Sequence, residues 1–231
     1  MTKKKDIRRM PIHDVHVEKT SGDLALEDQL AWKIAEVANG AGSVAIDDDV
    51  REMVKNRIID NAAIAIAAIN EPAVAVVRAK ALPTEGIGGA TLIGVDNSRT
   101  FAPERAACAN AVAVRFLDQD DTYLAAEYSH PDDNISPILA VAQHMGVDGQ
   151  SLIRGIVVAY EIQVALVGTG NGTGLSLHRH NVDHMTHIAA GTAAGLGAML
   201  NLPTEQIYNA LNFAVHNSVS SRQSRKGKIG A

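Results

Sequence analysis

The chain gathers its reactive side chains into three short stretches. Residues 115–134, RFLDQDDTYLAAEYSHPDDN, carry six carboxyl groups (Asp118, Asp120, Asp121, Glu127, Asp132 and Asp133) together with Thr122, two tyrosines and His130. Residues 175–187, LSLHRHNVDHMTH, hold four of the nine histidines. Residues 221–228, SRQSRKGK, hold four of the 21 Lys and Arg. Imidazoles and carboxylates exchange protons near neutral pH. Arg and Lys hold carboxylates, Arg in a bidentate way. The three stretches together are therefore suited to abstracting a proton beside a substrate carboxylate, with cations to bind the substrate and stabilise an enediolate-like intermediate. The same parts would also serve decarboxylation or epimerisation.

Each stretch has competing readings. The acidic one contains little that can bury apolar surface, so packing does not explain it; it is a proton-transfer site, a solvated turn or a cation site. The DxDxDG spacing of an EF-hand is absent. His180 and His184, like Asp183 and His187, are four apart and would share a face if helical. A zinc site of the HExxH kind lacks its Glu, because Asn181 follows His180. His178 and His180 read as surface or capping residues, whereas His184 opens an Ala-rich helix and is placed to face a cleft. The basic run Arg222, Arg225, Lys226 and Lys228 is either a solvated face or a receptor for carboxylates.

These residues need a scaffold, and the composition favours helices. Hydrophobic residues make up 46% of the chain and aromatics 3%, and Ala is abundant, which suits close helix packing better than a sandwich of sheets. About eight helices are expected. One runs from about Leu24 to Ala38, with Leu26, Leu30, Ile34 and Val37 on its inner face. A second starts at Asp47 or Asp48, and its AAIAIAAI half, apolar all round, should be fully buried. Pro72 opens a third. ATLIG, between glycines, reads as a short strand or hairpin. Pro103 starts a helix to about Leu117, Pro137 opens another, and Asp148 caps a long one lined by Leu152, Ile156, Ala159, Gln163, Val164 and Val167. TGNGTG at 169–174 is a loop. The last two helices run over about 184–200 and from Thr204, the latter with Ile207, Ala210, Leu211, Ala214 and Val215 inward. Cys108, the single cysteine, lies in an apolar run and reads as a buried structural thiol. Residues 1–23 read as a flexible arm.

Net charge is −5, with a pI near 6.0, which argues against a nucleic-acid partner. No apolar leader and no uncharged 18-residue apolar run are visible, so neither a signal peptide nor a membrane span is expected. The expected setting is a reducing one, the cytoplasm, or the mitochondrial matrix in a eukaryote.

RFLDQDDTYLAAEYSHPDDNISPILAVAQ, YEIQ at 160–163, LHRHNVDHMTH at 177–187 and SRQSRKG at 221–227, in that order, resemble the MmgE/PrpD family from about residue 24 to the last. The resemblance implies a mainly helical main domain over 24–231, a smaller α+β lid domain, and a homodimer. It also implies metal-independent, cofactor-free dehydration of 2-methylcitrate, a tricarboxylate, to 2-methyl-cis-aconitate. The lone Cys108 agrees with the lack of an iron–sulfur cluster. The family's DxxDT-plus-His motif falls on Asp118, Asp121, Thr122 and His130. Its DH pair falls on Asp183 and His184, and its basic motif on Arg225 and Lys226. The roles implied are His184 as base or acid, Asp118 and His130 as its proton-transfer partners, and Thr122 as hydrogen-bond donor. Lys226 would hold a substrate carboxylate, with Arg225, Asp121 and Asp183 also around the substrate. Family members continue past SRQSRKG, so the lid is expected to be missing here and apolar surface to be exposed in its place. A non-catalytic helical interaction domain is the reading from another class.

Overall fold

The computed structural model of the chain describes residue 19 and residues 22–83, 88–125, 127–168 and 174–223. Nearly all of the expected arm lies outside these residues, as do most of TGNGTG and both Arg225 and Lys226. The described residues form a mainly helical fold with eight α-helices. These are α1 (Leu30–Gly40), α2 (Asp48–Ala67), α3 (Pro72–Ala79), α4 (Pro103–Arg115), α5 (Ile135–Met145), α6 (Gly149–Val167), α7 (Met185–Met199) and α8 (Thr204–Ser218). One two-stranded antiparallel hairpin interrupts them, β1 (Tyr123–Leu124) with β2 (Tyr128–Ser129), pairing Tyr123 with Ser129 and Leu124 with Tyr128.

The centre is the packing of α6 on α7, and small residues set it. A Cβ added to Gly195 would lie 2.5 Å from the Gly155 carbonyl oxygen and 2.8 Å from the Ala159 Cβ. One added to Gly191 would lie 2.9 Å from the Ala159 oxygen. The two backbones thus approach as closely as glycine permits. Around this pair, one apolar cluster joins Ile34, Ala35 and Ala38 of α1 to Val158 and Ile162 of α6, Ala194 of α7, and Ile207 and Leu211 of α8. A second joins Val54 of α2 to Ile135 and Ile138 of α5 and to Ile156, Ala159 and Met199. A third ties α2, α3 and α4 together through Ala65, Val74 and Val114. By length and composition α6 could cross a bilayer. It is instead a core helix here, with Gly155, Ile156, Ala159 and Gln163 buried.

Helix ends follow local chemistry. The Asp148 side chain accepts from the Ser151 N–H at 2.7 Å, capping α6 as its sequence position implies. Gly146 ends α5 with φ +65°, a left-handed conformation that glycine adopts without strain. Asp47 stands at the N-cap position of α2 without a side-chain capping bond, so its help comes through charge at the helix N-terminus.

Several expectations need correcting. The first helix starts at Leu30, after a 3₁₀ turn at Leu26–Asp28, and both Leu26 and Val37 are exposed. The apolar half of α2 is not wholly buried: Ile64 and Ala65 face the core, while Ile66 is 47% exposed and Ile59, about two turns earlier, 66%. Composition all round a helix says how many faces could be buried, not how many partners arrive. ATLIG forms no strand. Ala90 makes a single antiparallel bridge with Phe101, and Asn110 of α4 replaces a partner strand, accepting from the Ile93 N–H and donating to the Thr91 carbonyl. The helix expected to open at Pro137 begins at Ile135. Cys108 is exposed on α4, because its neighbours Ala106 and Ala109 take the inward positions.

Candidate active site

The acidic stretch is folded inward rather than solvated. A chain of buried polar groups pins it to the central helices. Thr192 of α7 donates to the Asn134 oxygen at 2.6 Å, Asn134 donates to the Gln163 oxygen of α6, and Gln163 donates to Ser129 Oγ at 2.7 Å. Asn134, Gln163 and Ser129 are fully buried and satisfied, which makes the network rigid. His130 stands between Ser129 of β2 and the 3₁₀ turn Pro131–Asn134, so this network fixes its backbone on both sides.

The His130 ring is oriented by three groups. Its Nδ1 lies 2.8 Å from the Asp121 carbonyl oxygen and 3.4 Å from Thr122 Oγ1, while Nε2 faces Arg115 Nη2 at 3.3 Å. A carbonyl accepts only, so the proton is assigned to Nδ1. Asp120 Oδ2 is 3.8 Å from the same Nδ1. Arg115, at the end of α4, binds both Asp118 and Asp120, the latter at 2.8 Å.

His184 arrives from the opposite side, on the N-terminus of α7. Asn181, with φ +56°, turns the chain sharply before it. The Asp183 N–H donates to the Ser220 carbonyl at 2.7 Å, and the Arg222 N–H to the Asn181 carbonyl at 2.8 Å. This short ladder holds the start of the basic motif beside the Asp183–His184 pair. The His184 and His130 ring centroids are 5.6 Å apart, and Tyr128 lies 4.9 Å from His184. Both imidazoles and Asp183 are buried, and Asp183 Oδ1 is 3.3 Å from His184 Nδ1. The i, i+4 pairing of His180 with His184 is not realised, because His178–His180 is an exposed 3₁₀ turn and α7 begins after it. Asp183 and His187 do not share a helical face either, since Asp183 lies ahead of α7.

Beneath His130 lies a carboxylate pair. Asp121 Oδ1 accepts from the Asp132 N–H at 3.1 Å, and Asp132 Oδ2 accepts from the Asp121 N–H at 3.2 Å and from Asn61 of α2 at 2.7 Å. Tyr160 of α6 donates to Asp121 Oδ2 at 3.1 Å, and Arg57 approaches the same oxygen at 3.4 Å. Burial first, and then the hydrogen bond and charge of Asp121, push the Asp132 carboxyl up to about 9. Burial, followed by the charge of Asp120, lifts Asp133 to about 7. Asp120 is also raised by burial. Burial thus shifts all three carboxyls toward their protonated forms, Asp132 most. Ligand atoms of Asp120, Asp132 and Asp133 come within 4.8 Å of one another, a spacing that could hold a cation. Yet Arg115 already sits on Asp120, and Asn61 and a backbone amide on Asp132, so the protein itself supplies compensating donors.

A carboxyl that folding keeps protonated favours the fold at low pH and weakens it as pH rises through the folded-state value. Asp132 thus contributes fully below the ordinary carboxylate range, and the contribution is lost progressively up to about 9. Burial lowers the pKa of His187, which acts in the opposite sense below its ordinary value of 6.5. Melting temperature is expected to fall between neutral pH and pH about 9, and Asp132→Asn, which keeps the uncharged shape, should flatten that fall. An equally steep fall in the variant would remove Asp132 as its cause.

Of the residues singled out in the sequence, Asp121, Thr122, His130, Asp183 and His184 converge. Asp118 stands at the rim, its side chain 73% exposed, and Asp120 takes the place beside His130. Arg225 and Lys226 lie outside the described residues. Arg57, Asn61, Arg115, Asp132 and Gln163 were not singled out as site residues. The YEIQ motif was a usable signal, since its Tyr160 and Gln163 both reach the acidic stretch.

A helical domain with two facing imidazoles, each with a carboxylate beside it, defines a site built for proton transfer. The chain belongs to the MmgE/PrpD family, whose N-terminal domain matches residues 31–231. It is similar to the probable 2-methylcitrate dehydratase of Saccharomyces cerevisiae, 33% identical over 152 residues, 59% of this chain and 28% of that protein. The 2-methylcitrate dehydratase of Cupriavidus necator is 29% identical over 74% of this chain and 36% of its own length. A fungal alkylcitrate dehydratase is 26% identical over 93% of this chain and 44% of its own. The chain spans less than half the length of these relatives. Their names support a citrate-type dehydratase family.

Proposed function

We propose that the chain forms the helical part of a hydro-lyase converting 2-methylcitrate to 2-methyl-cis-aconitate in propionate degradation. The observation that carries this reading is the buried His130–His184 pair, 5.6 Å apart between ring centroids, in a family whose similar members are dehydratases. One imidazole takes a proton from the carbon beside a carboxylate. The C–O bond on the neighbouring carbon breaks, a second group protonates the departing hydroxyl, and the two carbons become doubly bonded with loss of one water. His184 is the proposed base, with the Asp183 carboxylate stabilising the imidazolium. His130 and, from the rim, Asp118 are the proton-transfer partners. Thr122, exposed at the mouth, donates a hydrogen bond to substrate, and Asp121 helps shape the pocket. Arg225 and Lys226 hold substrate carboxylates, and no metal takes part. The active unit is a homodimer completed by a smaller lid domain, in the cytoplasm or the mitochondrial matrix. The exposed Ile59, Ile66 and Val76 support a covered face on α2 and α3.

The test is product analysis with the 231-residue chain and with a longer form matching its relatives' length. A rise in ultraviolet absorbance from the conjugated alkene with 2-methylcitrate, resistant to chelator, is the expected result. Carbon dioxide release from cis-aconitate would favour a decarboxylase. Absence of turnover by the longer form on any of these acids would favour an interaction domain.

A further inference from the structure

Behind the first turn of α7 lies a second feature that the proton-transfer chemistry does not use. A cavity of about 240 Å³ opens between α1, α6, α7 and α8, lined mainly by apolar side chains such as Ile34, Leu166, Leu177 and Leu211. Three polar residues interrupt this lining, the exposed Asn212, whose amide donates to the Tyr208 carbonyl, and the inward His187 and Thr186. His187 is 2% exposed, and neither of its ring nitrogens makes a hydrogen bond of normal geometry, the Leu175 backbone acting on it only weakly; the Thr186 hydroxyl is buried and unpartnered. Buried polar groups left unpaired cost free energy, so a site that keeps two of them side by side in an apolar wall is shaped for something that pairs with them. Water is a poor candidate for most of the space, since an ordered water needs two to four polar partners and nine of the twelve lining residues are apolar.

We propose that this cavity binds a small uncharged aliphatic molecule through one hydroxyl or amide head, with His187 and Thr186 receiving the head and the leucines the chain. Size, polarity and charge all follow from the lining. An apolar cavity of about 150 Å³ takes a benzene-sized guest, so this one takes a guest somewhat larger, of six to eight carbons by rough proportion. Burial favours the neutral form of His187, which offers one donor and one acceptor that a hydroxyl or amide can match together. The Glu127 carboxylate acts on His187 through its charge, and it disfavours an anionic head. An ammonium head would lose its hydration among leucines without an ionised partner in the wall. His187 stands one turn beyond His184 on the same helix, so occupancy also loads the helix end that carries the proposed base. This inference stands apart from the dehydratase reading, and either can fail without the other.

The experiment is a titration of methyl- and imidazole-labelled chain with hexan-1-ol, hexanoate and hexylammonium, followed by NMR. Hexan-1-ol is expected to shift the His187 ring and the methyls of Leu166 and Leu211, and to bind at least tenfold more tightly than either charged analogue. The double variant Thr186→Val, His187→Leu should weaken hexan-1-ol at least tenfold. Leu166→Trp, which fills the cavity from a half-buried position, should abolish the shifts while the rest of the spectrum stays folded. Equal affinity for the three heads, undiminished binding by the double variant, or shifts mapping elsewhere would each overturn the proposal.

Discussion

On the proposed dehydratase reading, His184→Ala is expected to leave a folded protein whose turnover of 2-methylcitrate falls by about 10²–10⁴-fold, the usual contribution of a positioned acid or base. The loss should appear in kcat, because His184 is 3% exposed and its neighbours are Asp183, Tyr128 and His130 rather than open solvent. Removing the ring leaves a space against Tyr128, so a modest fall in melting temperature should accompany the change. His184→Gln separates the two effects: it retains much of the volume and hydrogen-bonding capacity but cannot shuttle a proton at neutral pH. A Gln variant with near-parental kcat would transfer the chemistry to His130. Steady-state kinetics on the longer form, with circular dichroism melts alongside, provide both readouts.

The largest expected effect on stability is at Gly195. Its added Cβ would meet the Gly155 carbonyl oxygen at 2.5 Å, and that oxygen belongs to a helix backbone that cannot swing aside. Gly195→Val should therefore push α6 from α7 and cost about 3 kcal/mol or more, at or beyond the upper end for overpacking. A favourable helix propensity of about 1 kcal/mol for replacing glycine by alanine does not offset that. Gly149→Ala serves as the comparison, because nothing lies within 4 Å of a Cβ there; it should be neutral or slightly stabilising. Equal urea midpoints for the two variants would show that the close approach of the helices is not what holds the core together.

The helices were readable because their signals are local. Pro72, Pro103 and Asp148 mark starts that hold at those positions, and the spacing of Ile156, Ala159 and Gln163 gives the inner face of α6. What failed depends on partners that a sequence does not print. Ile66 and Cys108 lie in apolar runs but on faces that no described element covers. ATLIG has strand-like residues but receives a side chain, Asn110, instead of a strand. At the site, His184 could be named from its place at the head of an Ala-rich helix, and the role of His130 came from the resemblance to the MmgE/PrpD family. Asp132 could not be ranked above its five acidic neighbours, since its raised pKa comes from burial beside Asp121, a tertiary property. Arg57 and Asn61 look like ordinary positions on an amphipathic helix until α2 is laid against the acidic turn.

The polar chain from Thr192 through Asn134 and Gln163 to Ser129 has a consequence for the order in which the molecule assembles. Its links come from α7, the 3₁₀ turn, α6 and β2, elements that leave the ribosome at different times. The acidic hairpin is synthesised well before Thr192 and His184, and until α7 docks the polar chain lacks its Thr192 end and His130 lacks the His184 ring opposite it. Contacts so distant along the chain form late, after the loop between them has been closed. The proton-transfer geometry is therefore one of the last things the nascent chain acquires, and a partly synthesised product would hold the acids and His130 with no His184 facing them.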